Sequence, residues 1–381
     1  MKYSDYLIIL IALVAMQWFT SCSQSAGPRE KTDPAFLLQL EAPIDKWDEA
    51  SPLGNGLMGG LLWGAASEIR ISLDRGDLWD LRAHPVYTNP AFNYDVIRQM
   101  ALAGHTDSLN KEYAKASDYP TKLPGCRLVL NLPDSLKAES FHLDMKRAIG
   151  RVDLKEKQVE CFFSAEKPVA LIKVPVSHLE FKLVGNPAAV KLLNYKPPHV
   201  EGDKNSSWLI QDAALNFQYV FLVQTRKVMD HTLIAVAMAT NQDAADPLAL
   251  ARKNAQQALD SGFDKLLEEH EKWWNEFWSR SSVSIPDPKI QQHYNLVQYY
   301  YGAASRRGAP PIPLQGVWTA DEGKLPPWHG DYHHDLNTQM TYWAYLASNR
   351  FDQGLSFLDF MWSLKPYHEQ FARSFFGTDG H

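Results

Sequence analysis

The chain has 381 residues, of which 45% are hydrophobic and 22% are charged, and this globular composition excludes an intrinsically disordered protein. The length leaves room for two domains of typical size. A formal net charge of -6 lacks the basic excess of nucleic-acid-binding proteins, so we expect no DNA or RNA partner.

The N-terminus predicts export. Lys2 precedes an apolar run at 7–19, which is too short to span a bilayer but suits the hydrophobic region of a secretory signal. Cys22 follows the small residue Ser21, as in bacterial lipoprotein signals. We therefore expect residues 1–22 to be a lipoprotein-type signal peptide and the mature chain to be periplasmic or on the cell surface, held in the outer or cell-surface membrane by lipid on Cys22. Plain cleavage between positions 21 and 26 is the alternative.

Residues 35–241 predict an antiparallel β-sandwich. Apolar and polar residues alternate in short runs divided by Gly, Pro, Asn and Asp, which is typical of half-buried strands. The clearest runs lie at 68–73, 127–132, 158–163, 170–174 and 232–238. A mixed loop and helix insert is predicted at 86–115. Cys126 and Cys161 are compatible with one disulfide or with two buried thiols.

The pattern becomes helical after residue 241. Residues 242–287 are rich in Ala, Leu, Glu, Gln and Lys at helical spacing, which predicts a helical linker. Further helices are predicted within residues 288–381, at 290–304, 340–346 and 355–376. A β region followed by an α region suits a helical toroid whose loops build a pocket. Three or four helices cannot close a double-layered toroid, so we expect residues 288–381 to form a partial domain.

The segment at 325–343 reads LPPWHGDYHHDLNTQMTYW and has almost no aliphatic side chains. If its centre is extended, four polar side chains project to the same side, those of His333, Asp335, Asn337 and Gln339. An imidazole, a carboxylate and two amides can hold sugar hydroxyls, and nearby indoles offer flat apolar surfaces to sugar C–H faces, those of Trp328 and Trp343. The segment therefore predicts a carbohydrate site.

Other interpretations of this segment stay open. The carboxylate of Asp335 could take a proton from water, or it could bind a sugar hydroxyl or cap a turn. Asn337 could face a pocket or act as the N-cap of the following helix. A metal site could be drawn from His329, His333, His334 and Asp335, but adjacent histidines point oppositely in an extended segment. We therefore predict no metal and no other cofactor.

Two groups of motifs carry a family resemblance. PLGNG at 52–56 is followed by EIRISL at 68–73 and DLW at 77–79, and LQGVW at 314–318 is followed by PPW at 326–328 and by the motif at 332–343. In this order and spacing the runs resemble glycoside hydrolase family 95, the inverting alpha-L-fucosidases, which also include alpha-L-galactosidases. The resemblance covers most of residues 35–381, but only the front half of such an enzyme. It implies an N-terminal β-sandwich, a helical linker, an (α/α)6 barrel of six hairpins and a C-terminal β domain, so residues 288–381 would be the first part of the barrel.

The resemblance also implies roles for single residues. His333 matches a substrate-binding histidine, Asn337 matches the second of two asparagines, and Asp335 stands where the first asparagine is usual. In the family those asparagines activate water with a distant aspartate, opposite a glutamic general acid. Both of these carboxylates come from later in the barrel, so we expect this chain alone to lack the general acid. Asp335 could instead serve directly as the base, or it could mark another sugar preference.

These observations predict an exported, inverting exo-glycoside hydrolase that releases a terminal L-sugar, with alpha-L-fucose favoured, from fucosylated or related glycans. The predicted catalytic residues are Asp335 and Asn337, and the predicted substrate-binding residues are Trp328, His333, Gln339 and Trp343. The alternatives are a non-catalytic glycan-binding surface lipoprotein and a metal-dependent hydrolase.

Overall fold

The computed structural model describes residues 32–114, 116–321 and 323–380, and the predicted signal peptide with Cys22 lies outside them. Residues Pro34–His381 form one compact unit. Its strands come first and its long helices follow, which confirms the predicted β-sandwich followed by helices. Across the described ranges, no helix is both long enough and apolar enough to cross a bilayer.

Two antiparallel sheets make up the sandwich. The strands are, in chain order, β1 (Leu37–Glu41), β2 (Ser51–Gly54), β3 (Met58–Ala65), β4 (Glu68–Arg75), β5 (Trp79–Asp80), β6 (Thr121–Lys122), β7 (Cys126–Asn131), β8 (Ser140–Asp144), β9 (Ile149–Leu154), β10 (Lys157–Phe163), β11 (Val169–Val174), β12 (Glu180–Val184), β13 (His199–Gly202), β14 (Ser206–Asp212), β15 (Gln218–Val228) and β16 (His231–Thr240). The larger sheet has nine strands in the order β1-β8-β9-β10-β11-β16-β15-β14-β13, and the smaller has five in the order β12-β7-β4-β3-β2. β5 and β6 form a separate pair.

Four of the eight helices named below begin at a side-chain cap. The helices are α1 (Tyr94–Leu102), α2 (Thr106–Tyr113), α3 (Pro187–Leu192), α4 (Pro247–Ser261), α5 (Phe263–Ser279), α6 (Pro288–Ala304), α7 (Asn337–Ala347) and α8 (Phe351–Phe371). Both α4 and α6 start with Pro, and the carboxylates of the preceding Asp246 and Asp287 accept backbone N–H groups of the first turn. These caps satisfy donors that the helix itself leaves free.

The two helices that were predicted as a linker pack on the larger sheet. Ala251, Ala255 and Ala258 of α4 and Leu266 of α5 join a hydrophobic cluster on the outer face of the sheet. As a result β16 is buried along nearly its whole length, although the alternation predicted a half-buried strand. Small alanine side chains let the helix approach the strands closely, so this segment is a structural layer of the sandwich.

The main core continues from the sandwich into the helical region. It includes Trp274 and Phe277 of α5, Tyr299 of α6 and Tyr342 of α7 together with residues between the sheets. The rings of Trp274 and Tyr299 stack with centroids 5.3 Å apart. The Tyr299 hydroxyl donates to the carbonyl of Pro52 in β2 at 2.8 Å. The sheets and the helices therefore share one interior.

Cys126 and Cys161 are buried free thiols, so the disulfide alternative is wrong. Cys126 lies in β7 of the smaller sheet and Cys161 in β10 of the larger one. Burial raises the pKa of Cys161 to about 12, and burial likewise raises the pKa of Cys126. These thiols are inert packing groups at neutral pH.

The predicted insert is confirmed. A 3₁₀ turn at Pro85–Thr88 leads into α1 and α2 before the chain returns at β6. Asn93 caps α1 by accepting the N–H of Val96 at 3.0 Å. The insert thus has its own short helices outside the two sheets.

His270 of α5 generates a pH prediction. Its Nδ1 accepts the N–H of Ala165 at 3.2 Å and its Nε2 lies 2.9 Å from the Arg147 carbonyl, so the neutral ring is satisfied on both sides. Burial lowers its pKa from 6.5 to about 3. A depressed histidine pKa contributes stability that is complete above pH 6.5 and is lost as the pH falls toward 3.

Between pH 7 and pH 5 this effect should cost about 2 kcal/mol of unfolding free energy. His270→Gln should remove that part of the pH dependence in urea unfolding, whatever its effect at pH 7. His178→Gln, at an exposed histidine, should keep the pH dependence of the parent. Identical pH profiles for the parent and His270→Gln would contradict the assignment.

Candidate functional site

The loop before α7 has an unusual backbone. Trp328, His329 and Gly330 have φ values of 56°, 59° and 61°, in the left-handed region. A bulky residue such as Trp is rare there, because its Cβ crowds the backbone. The Trp328 side chain is 74% exposed. Strained conformations of this kind persist where surrounding contacts hold them, and they concentrate at functional sites.

Those contacts come from the strand pair β5–β6 on one side of the loop. The ring of Trp79 stacks on that of Tyr332 with centroids 5.6 Å apart. The Thr121 hydroxyl donates to the carbonyl of His329 at 3.3 Å. The Tyr332 hydroxyl donates to the carbonyl of Pro311 at 3.1 Å, and burial raises the pKa of Tyr332. The loop is therefore fixed to the sandwich as well as to its own domain.

Helix α8 supports the loop from the other side. The rings of Tyr332 and His334 lie parallel with centroids 5.7 Å apart. The ring of Phe360 contacts both of these rings, with its centroid 4.9 Å from that of Tyr332 and 6.1 Å from that of His334. Burial is the main cause that lowers the pKa of His334, and the nearby His368 acts in the same direction. A neutral His334 fits this aromatic stack.

The predicted extended face at 333–339 is wrong. Residues 334–336 form a turn, and α7 begins at Asn337. The N–H of Thr338 donates to the carbonyl of His333 at 2.9 Å, which closes the chain into the helix. Side chains two apart in a helix differ by roughly 200° in direction, so Asn337 and Gln339 point to opposite sides. The four polar residues therefore do not share one face.

The predicted site residues separate into two groups. His333 is half-buried, with Nδ1 2.9 Å from Oδ1 of Asp331 and its ring 5.9 Å from that of Trp328. Asp335 and Asn337 are exposed at the turn and at the start of the helix. The N-cap position belongs to Leu336, so the N-cap interpretation of Asn337 is also wrong. Trp328, His333, Asp335 and Asn337 thus belong to one loop and its junction with α7.

The second group lies on another side of α7. The Gln339 amide donates to the carbonyl of His334 at 2.8 Å, so it braces the turn. Trp343, four residues further along the helix, is on the same side as Gln339 and is 71% exposed. The substrate-binding roles of Gln339 and Trp343 stay predictions, but they would need a surface distinct from that of Asn337.

Two adjoining cavities border the start of α7. The smaller, of about 310 Å³, is lined by Ile312, Pro313, Leu314, Leu336, Asn337, Thr338, Met340 and Thr341. The larger, of about 580 Å³, lies between the sandwich and the helices, and includes Trp47, Asp48, Tyr300, Gln315 and Trp318. The cavities share Ile312, Leu314, Met340 and Thr341. Asn337 is the predicted site residue that lines one of them.

The sequence prediction missed Asp331 and Tyr332. Both lie in the polar segment, but neither was given a role. Asp331 and His333 are two residues apart in an extended stretch, so the period of 2 could have revealed their pairing. The stacking of Tyr332 on Trp79 joins distant parts of the chain, and local patterns carry no signal for it.

The nearby residues Asp74, Asp77 and Trp79 serve structure. Lys122 donates to Asp74 at 2.9 Å within the fold, and Arg75 pairs with Asp77 at 2.7 Å. Burial raises the pKa of Asp74 to about 6, and Lys122 opposes that shift. In the described ranges, no group of three His, Cys, Asp or Glu side chains could hold a metal ion.

Gly330 should be the most sensitive backbone position of the loop. A Cβ there would lie 3.1 Å from the Cβ of Lys122 and 3.2 Å from the ring of Pro326, at a φ of 61°. Gly330→Ala should lower the unfolding free energy by about 2–3 kcal/mol, measured by urea denaturation. Gly377→Ala is the matched control. The φ of Gly377 is 66°, and a Cβ built there would meet no atom within 4 Å apart from its neighbours in the chain. This variant should lose only the backbone part, about 1–2 kcal/mol. Equal losses would show that Lys122 and Pro326 do not crowd the site.

The loop before α7 lies within a stretch of the chain that is similar to a known catalytic domain. Residues 253–381 match the glycosyl hydrolase family 95 catalytic domain, and residues 38–200 match the glycosyl hydrolase family 65 N-terminal domain. Alpha-L-fucosidase 2 of Arabidopsis thaliana is 21% identical over an alignment 435 residues long, which covers 90% of this chain and 50% of that protein. Probable alpha-fucosidase A of Aspergillus niger is 28% identical over 121 residues, 26% of this chain and 15% of that protein.

A solved structure described as a kojibiose phosphorylase from the human microbiome aligns with a TM-score of 0.46 and 13% identity, over 75% of this chain and 41% of that one. The chain spans about half the length of the Arabidopsis relative. The match at 38–200 contains the sandwich strands from β2 to β12, and the match at 253–381 contains the loop before α7. Residues 253–381 are therefore similar to a family 95 catalytic domain, and the two alpha-fucosidases named above are relatives of this chain at low identity.

Proposed function

We propose that the protein acts in the exo-hydrolysis of glycans and releases terminal alpha-L-fucose. The observation that carries the proposal is the loop at 328–337, which lies within the family 95 catalytic match and holds an exposed indole, an imidazole, a carboxylate and an amide within ten residues of chain. The choice of fucose is supported by the names of the two relatives, both alpha-fucosidases.

The loop geometry suggests how a terminal sugar is held. Asp331 lies against one nitrogen of His333, and Trp328 packs at the edge of the same ring, so the imidazole is restricted in orientation. The opposite nitrogen, Nε2, is then available for a sugar hydroxyl. The exposed face of the Trp328 indole provides an apolar surface for the C–H groups of the ring. His333 and Trp328 would thus bind the sugar from two directions.

Asp335 is the proposed base. Inverting hydrolysis needs one carboxyl group to protonate the leaving oxygen and one to activate water, about 6.5–9.5 Å apart. Asp335 is exposed beside Asn337, where water can approach, whereas Asp331 is engaged with His333. Hydrolysis therefore also requires a general acid, and we do not assign that role to any residue at 323–380.

Asp335→Asn tests the base in an active form of the protein. If Asp335 takes the proton from water, the near-isosteric change should lower kcat on a fucosylated oligosaccharide by about 100-fold. Asp359→Asn, at an exposed aspartate of α8, is the control and should leave kcat unchanged. An unaltered kcat in Asp335→Asn would end the direct-base assignment and favour an amide that only positions water.

The substrate itself is tested by product release. Fucosylated and L-galactosylated oligosaccharides should be incubated in parallel, and L-fucose should be the main product. Release of L-galactose alone would reassign the sugar. Binding of glycans without any release would favour the non-catalytic glycan-binding alternative.

We also propose that the protein is exported and lipid-anchored at Cys22, which rests on the sequence at 1–22 alone. Cys22→Ala should abolish incorporation of labelled palmitate in a bacterial host, because the thiol is the acceptor of lipid. Cys161→Ala, at a buried thiol of the sandwich, is the control and should label like the parent. Equal label in Cys22→Ala and the parent would exclude this anchor.

A further inference from the structure

A small cavity lies where the smaller sheet meets the segment before α3 and the segment at 318–321. Its volume is about 10 Å³, which matches the space that one water molecule needs. Two carboxylates, two hydroxyls and one amide lie on its wall, those of Ser72, Asp74, Asn186, Thr319 and Asp321. We call this space the polar cavity. Most of these polar groups bond to the protein, but two atoms on the wall do not.

The first of these atoms is a donor on Asn186. The residue is the N-cap of α3, and its Oδ1 accepts the N–H of Ala189 at 3.1 Å. That bond fixes which end of the amide is the oxygen, so the other end is the NH2 group. Asn186 is 9% exposed, and its Nδ2 has no hydrogen-bond partner among the described residues. A buried donor of this kind requires an acceptor.

The second atom is an acceptor on Asp74, which is 4% exposed. The hydrogen bonds that Asp74 accepts from the described residues both end on Oδ1. They come from the N–H of Arg75 at 2.7 Å and from Nζ of Lys122 at 2.9 Å. A carboxylate accepts on both of its oxygens, so Oδ2 keeps its capacity to accept.

The two hydroxyls on the wall donate to other groups. Ser72 Oγ donates to Oδ2 of Asp321 at 2.6 Å, and Thr319 Oγ1 donates to Oε1 of Gln315 at 3.0 Å. Asp321 also accepts two hydrogen bonds from Arg127. The polar cavity therefore joins one unused donor, Nδ2, to one unused acceptor, Oδ2, with room for a single small molecule between them.

We propose that the polar cavity binds one water molecule, which accepts a hydrogen bond from Nδ2 of Asn186 and donates one to Oδ2 of Asp74. Water fits because it accepts and donates at once, whereas a metal cation would meet the N–H of the amide. The second O–H of the water can donate to the Asp321 carboxylate on the same wall. The water would then link β4 to the segments before α3 and before the loop at 328–334. This inference is independent of the proposed function.

The direct test is a crystal structure of the protein at high resolution. One water should lie 2.7–3.2 Å from both Asn186 Nδ2 and Asp74 Oδ2, the usual range for such bonds. A dry cavity, a water that contacts only one of the two atoms, or a cation coordinated by the carboxylates would each overturn the proposal.

Asn186→Asp tests the donor in solution by urea unfolding. The new side chain can still cap α3, but it replaces the N–H by an oxygen. At pH 7 the unfolding equilibrium constant should rise by about 10- to 100-fold, because the bridging water would lose its donor and a carboxylate would be buried. Asn93→Asp is the matched control, since Asn93 caps α1 in the same way and is not on the cavity wall. It should change the constant by less than about 3-fold. Equal effects of the two substitutions would overturn the donor role.

The pH dependence of Asn186→Asp separates the donor from the shape of the side chain. The added carboxyl would face Asp74 and Asp321, which are bound by Lys122 and Arg127, while burial keeps the Cys126 thiol neutral. Between pH 7 and pH 5 this carboxyl should take up a proton and donate again. The unfolding constant of the variant relative to the parent should then fall by at least about 3-fold. A ratio that does not change with pH would mean that only shape matters, which would overturn the donor role.

Discussion

The structure depends on how one segment of the helical region docks on the smaller sheet. Trp318 lies against β3, where a Cβ on Gly59 would come within 2.9 Å of its ring. The indole N–H donates to the carbonyl of Leu53 at 2.8 Å, and the carboxylate of Asp321 accepts two hydrogen bonds from Arg127. A two-point Arg–carboxylate contact fixes direction as well as distance. The loop at 328–334 follows a few residues later, so the sandwich sets where that loop begins.

This docking accounts for two glycines of the smaller sheet. Gly54 and Gly59 allow other parts of the chain to approach the strands closely. A Cβ on Gly54 would lie 2.4 Å from the carbonyl oxygen of Ala303, and one on Gly59 would lie 2.4 Å from the side chain of Val317. Alternation and capping residues predicted the strands and helices well, because those signals are local. The covering of a strand by another element depends on tertiary packing, which local sequence patterns do not encode. The burial of nearly all of β16 is a second example.

The candidate site was predictable in composition but not in arrangement. The polar segment was identified correctly as the part of the chain that matches a catalytic domain. Its assumed extended form failed because the N–H of Met340 bonds to the carbonyl of Leu336 and starts a helix three residues earlier than the apolar pattern indicates. Because of this turn, His333, Asp335 and Asn337 belong to the loop and its junction with α7, whereas Gln339 projects from another side of the helix. The stack of Trp79 on Tyr332 spans the two regions of the chain, and only the fold brings the rings together.

A buried ion pair completes the support of the loop. Lys122 of β6 donates to Asp74 and to the Arg75 carbonyl, each at 2.9 Å, and its stem lies beneath Gly330. Burial raises the pKa of Asp74 to about 6 against the attraction of Lys122, so withdrawing this pair from water carries a cost. Such pairs contribute little net stability, but a misplaced partner would leave a charge buried alone. Any shift of Lys122 would break this ion pair, so we infer that the pair fixes the position of β6. β6 in turn holds the returning end of the insert next to the strained turn at Trp328.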